Sequence, residues 1–93
     1  MNKIPIYPGE ILADELEELA LSAAALARTI DVPANRITQI LAGKRAIAAD
    51  TALRLGQYLG MSADFWMNLQ KIYELDLARQ EVGDRIALIP QRT

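Results

Sequence analysis

The sequence predicts an all-α fold, one small domain of five helices, and three observations carry that expectation. No run of four to eight residues alternates apolar and polar side chains with β-branched enrichment, the last residues, 83–93, excepted. Helix starts and stops recur instead: Pro8, Ser22, Pro33 and Ser62 stand where first turns want them, and Gly43 and Gly60 where helices end. Apolar residues are 52 % of the 93 and charged residues 24 %, the balance of a globular chain.

Each element follows from its own signals. The first helix starts near Pro8 or Gly9 and runs to Leu19 or Ala20. Proline suits its first turn, and Glu10 and Asp14 complement its positive end. Ile11, Leu12, Leu16, Leu19 and Ala20 recur at helical spacing and are expected in the core, with Glu17 and Glu18 in water. Ser22 caps a second helix over 23–30 whose core stripe is Leu26, Ala27 and Ile30. Asp31-Val32-Pro33 breaks it. A third helix then runs from Pro33 to about Ala42, with Gly43 at the left-handed position that ends it. Ile37, Ile40 and Leu41 point inward.

A fourth helix spans about 49–59, stops at Gly60, and is expected to bury Leu53, Leu55, Gly56 and Leu59. Asp50 lies in its first turn, where negative charge is favourable. Ser62 caps a C-terminal helix over about 62–82, followed by a short tail, 83–93, whose Ile86-Ala87-Leu88-Ile89 reads as a short strand, an arm or disorder. This last helix carries two apolar stripes. One is Phe65, Trp66, Leu69, Ile72, Tyr73 and Leu77; the other is Met67, Leu75, Ala78 and Val82. A surface helix normally shows one, so the second is expected to meet a partner.

Composition excludes several functions. There is no cysteine, hence no disulfide, thiol redox chemistry or cysteine-ligated zinc. There is no histidine, hence neither the commonest general base nor a histidine-based nucleophilic triad. No apolar run spans a bilayer, and the N-terminus lacks the apolar centre of a signal peptide. The expected location is the cytoplasm. Chains this short bury only about 60 % of their unfolded surface, so dimerisation would help.

The net charge of −2 conceals an uneven distribution. Residues 1–27 carry −4, residues 28–54 carry +3 and residues 55–93 carry −1. A basic middle in an acidic chain fits a local anionic partner, though a solvated face would look the same.

That middle contains the informative unit, two short helices joined by a tight turn, the helix-turn-helix pattern over about 22–42. On the second helix, Asn35, Gln39 and Ala42 lie opposite the apolar stripe, flanked by Arg36 and Thr38, with no acid among them. Asn and Gln pair with the N6/N7 edge of adenine, and Arg with the O6/N7 edge of guanine. Arg36 is placed to reach guanine or phosphate, and Thr38 a base or phosphate. Lys44 and Arg45 follow in the loop, where cations neutralise phosphates without reading sequence.

The stretch Leu21-Ser22-Ala23-Ala24-Ala25-Leu26-Ala27, followed by Val32-Pro33, Arg36-Ile37, Ile40-Leu41 and Gly43-Lys44-Arg45, resembles the xenobiotic-response-element helix-turn-helix family. Three further segments resemble its HigA antitoxin branch, also known as virulence-associated protein I. They are Pro8-Gly9-Glu10-Ile11-Leu12, Ala49-Asp50-Thr51-Ala52-Leu53-Arg54-Leu55 and Phe65-Trp66-Met67-Asn68-Leu69-Gln70. The resemblance implies a five-helix, lambda-repressor-like helix-turn-helix DNA-binding domain, usually dimeric. It implies an antitoxin that neutralises a HigB-type, RelE-like mRNA-cleaving toxin and represses their shared operon. Asn35, Arg36, Thr38 and Gln39 match the base-facing stretch, and Lys44 matches a phosphate-contacting position. Two positions depart from the pattern. Ala23 stands where members often carry a phosphate-binding Gln, and Ala48 where Ser or Thr often caps the fourth helix.

Other residues have blander readings. Phe65 and Trp66 are expected in the core, not in a ligand pocket. Glu10, Asp14, Glu17 and Glu18 read as a solvated acidic face, with a basic toxin as its alternative use. Asn68 and Gln70 either satisfy buried backbone groups or sit at a dimer seam. The expected partners are therefore a double-stranded DNA operator, a cognate toxin and a second copy of the chain meeting at Met67, Leu75, Ala78 and Val82. No catalytic activity, metal, cofactor or membrane is expected. The competing readings are a solitary transcriptional regulator and a protein-interaction module without DNA binding.

Overall fold

The computed structural model describes residues 4–92. They form five helices: α1 (Pro8–Leu19), α2 (Ala23–Ile30), α3 (Ala34–Leu41), α4 (Ala49–Leu59) and α5 (Ala63–Ile86). There is no strand among the described residues. The molecule is elongated, 51 × 25 × 21 Å, because α5 outruns the bundle formed by the other four.

Local chemistry sets the boundaries. Tyr7 is the extended residue before α1, and Pro8 opens the helix. Ala20 ends it in the left-handed conformation at φ 52°, and the Leu21 N–H returns to the Leu16 carbonyl at 2.9 Å. The hydroxyls of Ser22 and Ser62 each accept an N–H of the first turn they precede, from Ala25 and Phe65, both at 3.1 Å. The opening of α4 has no such cap: Ala48 adopts the capping backbone conformation with no side-chain hydrogen bond.

The core lies where the four short helices meet the first half of α5. Leu12 and Leu16 come from α1, Leu26, Ala27 and Ile30 from α2, Ile37 and Ile40 from α3, Ala52 and Leu55 from α4, and Trp66 from α5. Ile47 reaches in from the α3–α4 loop. Helix α1 crosses α3 backbone to backbone. A Cβ placed on Gly9 would overlap the Ile40 carbonyl oxygen, so no other residue fits without moving one of the helices.

Several expected core positions are exposed instead. Leu19 is 52 % exposed, because the chain reverses at Ala20 and leaves this last turn at the rim. Ala20 itself is the exposed reversal residue. Leu53 is 64 % exposed. At 100° per residue it sits well away from the direction shared by Ala52, Leu55 and Leu59. On α5, Ile72 is 52 % exposed, and Phe65 and Leu77 are partly so, since the buried face is centred on Trp66, Gln70 and Tyr73.

The C-terminal helix does not stop near Val82. Gly83 is carried inside it, and α5 continues to Ile86. Ala87, Leu88 and Ile89 then form a turn, with the Ala87 N–H on the Gly83 carbonyl at 2.9 Å and the Ile89 N–H on the Ile86 carbonyl at 2.9 Å. The strand considered for residues 86–89 is therefore absent. One glycine costs a helix only about 1 kcal/mol against alanine, too little to end one with good residues on both sides.

Candidate nucleic-acid interface

The two motif helices are joined by Asp31, Val32 and Pro33. Asp31 takes the left-handed conformation, φ 60°, and the Val32 N–H donates to the Ala27 carbonyl at 3.0 Å. Pro33 sits at φ −60° as the extended residue before α3, and its carbonyl accepts the Arg36 N–H at 3.0 Å. Ile37 and Ile40 are buried, which fixes the rotation of α3 about its axis.

That rotation leaves Asn35 and Thr38 exposed and Gln39 half-buried on the outward side. The Thr38 hydroxyl donates to the Asn35 carbonyl at 3.2 Å, which keeps its oxygen available as an acceptor. Arg36 is placed differently. Its Nη1 donates to Asp50 Oδ2 at 3.0 Å, so the guanidinium leans toward α4.

Gly43 closes α3 at φ 75°, a conformation that favours glycine. Its N–H reaches the Ile40 carbonyl at 3.0 Å and the Lys44 N–H reaches the Gln39 carbonyl at 2.9 Å. Lys44 and Arg45 are exposed immediately beyond. Arg45 and Arg36 border one cleft of about 340 Å³ with Ala46, Ala48, Asp50 and Thr51. Residues 32–49 carry Arg36, Lys44 and Arg45 and no acid. Asn35, Thr38, Gln39, Lys44 and Arg45 are thus gathered on α3 and the loop that follows it.

Two further contacts support the site; the sequence left the role of Gln70 open between two readings and did not single out Arg54. Gln70 is buried on α5, where its Oε1 accepts the Ile47 N–H at 2.9 Å while Nε2 donates to Glu74 Oε2 at 2.8 Å. The loop bearing Lys44 and Arg45 is thereby fastened to α5. Of the two roles open to Gln70, it takes the backbone-satisfying one, whereas Asn68 is exposed. The available signal was its position one turn after Trp66 on the core side of the helix. The second contact is Arg54, whose Nε joins Asp50 Oδ2 at 3.0 Å and whose Nη1 donates to the carbonyls of Ile30 at 2.8 Å and Asp31 at 3.1 Å. Its signal was the i, i+4 spacing of Asp50 and Arg54.

The second stripe of α5 divides. Met67 packs against the core cluster and leaves the stripe assigned to a partner. Leu75, Ala78 and Val82 line a shallow apolar groove that continues to Ile86. Among the described residues no cluster of acidic, histidine or cysteine side chains is arranged to hold a metal, and no helix is long and apolar enough to cross a membrane.

Two short helices set by a left-handed residue and a proline, with the second carrying no acid of its own on its exposed side, define a helix-turn-helix domain. Residues 12–66 match the helix-turn-helix family model. The chain is 45 % identical to virulence-associated protein I of Dichelobacter nodosus, over 99 % of its own length and 87 % of that protein's. Its structure superposes with TM-score 0.94 on an addiction-module antidote protein of the HigA family from Coxiella burnetii, 44 % identical, covering 98 % of this chain and 100 % of that one. It superposes with TM-score 0.92 on the Pseudomonas aeruginosa antitoxin HigA, solved with the higBA promoter, 47 % identical, covering 97 % of this chain and 100 % of that one. The protein belongs to the xenobiotic-response-element helix-turn-helix family, in the branch of the HigA antitoxins and virulence-associated protein I.

Proposed function

We propose that the protein is the DNA-binding antitoxin of a toxin–antitoxin pair. It binds the operator of its own operon as a repressor and neutralises a HigB- or RelE-like mRNA-cleaving toxin. The observation that carries the DNA-binding reading is the exposed side of α3, which offers amides and a hydroxyl beside Lys44 and Arg45, with no acid in residues 32–49 and with Arg36, paired to Asp50, at its edge. A duplex repels an acidic surface and accepts this one. The Pseudomonas relative bound to a promoter gives the reading its operator.

In this reading Asn35, Thr38 and Gln39 face base edges, with Arg36 beside them, and Lys44 and Arg45 neutralise phosphates. The chain works in the cytoplasm, where its DNA lies, and no catalytic step is assigned to it. A second copy packs along Leu75, Ala78 and Val82, extended by Ile86, so that two α3 helices meet half-sites about 34–36 Å apart or a multiple of that spacing.

The test compares binding to the DNA upstream of the protein's own gene with binding to a random duplex at fixed salt. Gln39→Ala is expected to cost about 1–3 kcal/mol on the operator and to leave random DNA nearly unaffected. A wild-type protein with no preference for its own promoter refutes operator binding. For the antitoxin half, co-expression with a neighbouring toxin gene should restore growth, and growth arrest despite abundant antitoxin refutes it.

A further inference from the structure

We propose that Asp50 is a positioning residue for DNA recognition: it holds the Arg36 guanidinium toward α4, at the edge of the recognition side of α3, and keeps it off the phosphate backbone. The inference rests on the DNA-binding reading above and assigns a specificity role to a residue that the recognition side itself does not contain.

The observation is a polar bridge that links three helices through one oxygen. Asp50 Oδ2, in the first turn of α4, accepts from Arg36 Nη1 and from Arg54 Nε, each at 3.0 Å. Arg54 Nη1 continues to the last carbonyl of α2, at Ile30, and to that of the turn residue Asp31. One carboxylate therefore ties α4 to both helices of the motif, to α3 directly and to the end of α2 through Arg54.

Stability is a poor explanation for this arrangement. The Asp50 side chain is 60 % exposed, and ion pairs in such surroundings contribute little. Direction is the better one. A guanidinium on a free stem reaches any nearby phosphate, which adds affinity without sequence information. The bridge engages Nη1 of Arg36 alone, and a guanidinium has five N–H donors, so the side chain keeps donors for a base edge while its swing is restricted. The charges agree. Arg54 lies on the carbonyl end of α2, where the helix carries roughly half a negative charge, so about half of the Asp50 charge is left to offset Arg36. With Asp50 in place, Arg36 displaces no counterion from the duplex; without Asp50 it does.

The experiment measures affinity for the promoter duplex and for a random duplex between about 50 and 200 mM salt. Asp50→Ala is expected to lower the operator-to-random ratio roughly tenfold, the worth of a single pairing between a side chain and a base edge. It is also expected to steepen the salt slope on random DNA by roughly 0.9, the increment for one more neutralised phosphate. Arg36→Met should lower the operator affinity while leaving the random-DNA slope unchanged, and Asp50→Ala added to Arg36→Met should leave that slope unchanged as well. Equal losses on both duplexes with no change of slope would make Asp50 merely structural and overturn the proposal. If Asp50→Ala does not fold, Arg36→Met decides alone: a loss of operator affinity with an unchanged random-DNA slope supports the proposal, while an unchanged operator affinity, or a slope shallower by about one unit that marks Arg36 as a phosphate contact, overturns it. Wild-type protein that does not distinguish the two duplexes fails earlier, at the DNA-binding reading itself.

Discussion

Leu55 and Leu75 mark two halves of the molecule: both are leucines inside helices, α4 and α5, and one is completely buried while the other is 52 % exposed. Around Leu55 the short helices and the first part of α5 close a core of buried apolar side chains. Around Leu75 the same helix α5 runs on with Ala78, Val82 and Ile86 lining an open apolar groove. The hydrophobic effect rewards burial of either face to the same degree per unit area and is indifferent to which chain supplies the cover. The near half is satisfied by its own sequence, while the far half presents an amphipathic surface with nothing of this chain laid over it. A helix can thus serve as the floor of one core and the edge of another surface, and its two ends answer to different experiments.

The comparison breaks most violently at Gly9. Gly9→Ala drives a methyl group into the Ile40 carbonyl and should cost about 3 kcal/mol or more, read from urea denaturation. An unfolding midpoint within error of wild type would mean that α1 and α3 are not in backbone contact. Next is Gln70→Leu, which leaves the Ile47 N–H buried without its acceptor and should cost about 1–3 kcal/mol. Because the same bond anchors the loop of Lys44 and Arg45, amide hydrogen exchange at Ile47 should accelerate more than in the α1–α3 core.

A gain is expected at Ala48. Ser in this position should accept an N–H of the α4 first turn, stabilise the near half by about 1 kcal/mol and raise Tm by roughly 4–8 °C. An unchanged melting curve would show that the α4 terminus is already satisfied. The smallest effect on the chain's own folding belongs to the far half. Leu75→Glu should change the unfolding free energy of the monomer by less than about 0.5 kcal/mol, since the site is open, yet abolish self-association in sedimentation. Wild-type protein that sediments as a folded monomer at micromolar concentration removes the second copy from the groove.

Legibility in the sequence followed the range of the interactions. Ser22, Pro33, Gly43 and Ser62 act on their own turn of backbone, and the helix boundaries they announce lie within about a residue of the observed ones. The inward residues of α2 and α3 were readable for the same reason, because a short helix leaves little freedom of phase. Leu53 and Ile72 were misplaced where a long helix offers several apolar directions and only tertiary packing selects one. The end of the last helix was placed too early, near Val82, because residues 83–86 carry no strong local signal and the helix simply continues through Gly83 to Ile86. The exposed polar side of α3 was visible as a pattern. The Asp50 contact that turns Arg36 toward α4 was not, because it joins residues 14 positions apart and depends on how α3 lies on α4.

The crossing of α1 and α3 at Gly9 has a bearing on how such a protein can change. Where side chains separate two helices, each core substitution alters their spacing, and the supported helix drifts as the sequence drifts. Here the separation is the thickness of a peptide group, the one dimension that mutation cannot adjust. Side chains at positions 35, 38 and 39 can therefore be exchanged over generations while the rod that bears them keeps its seat.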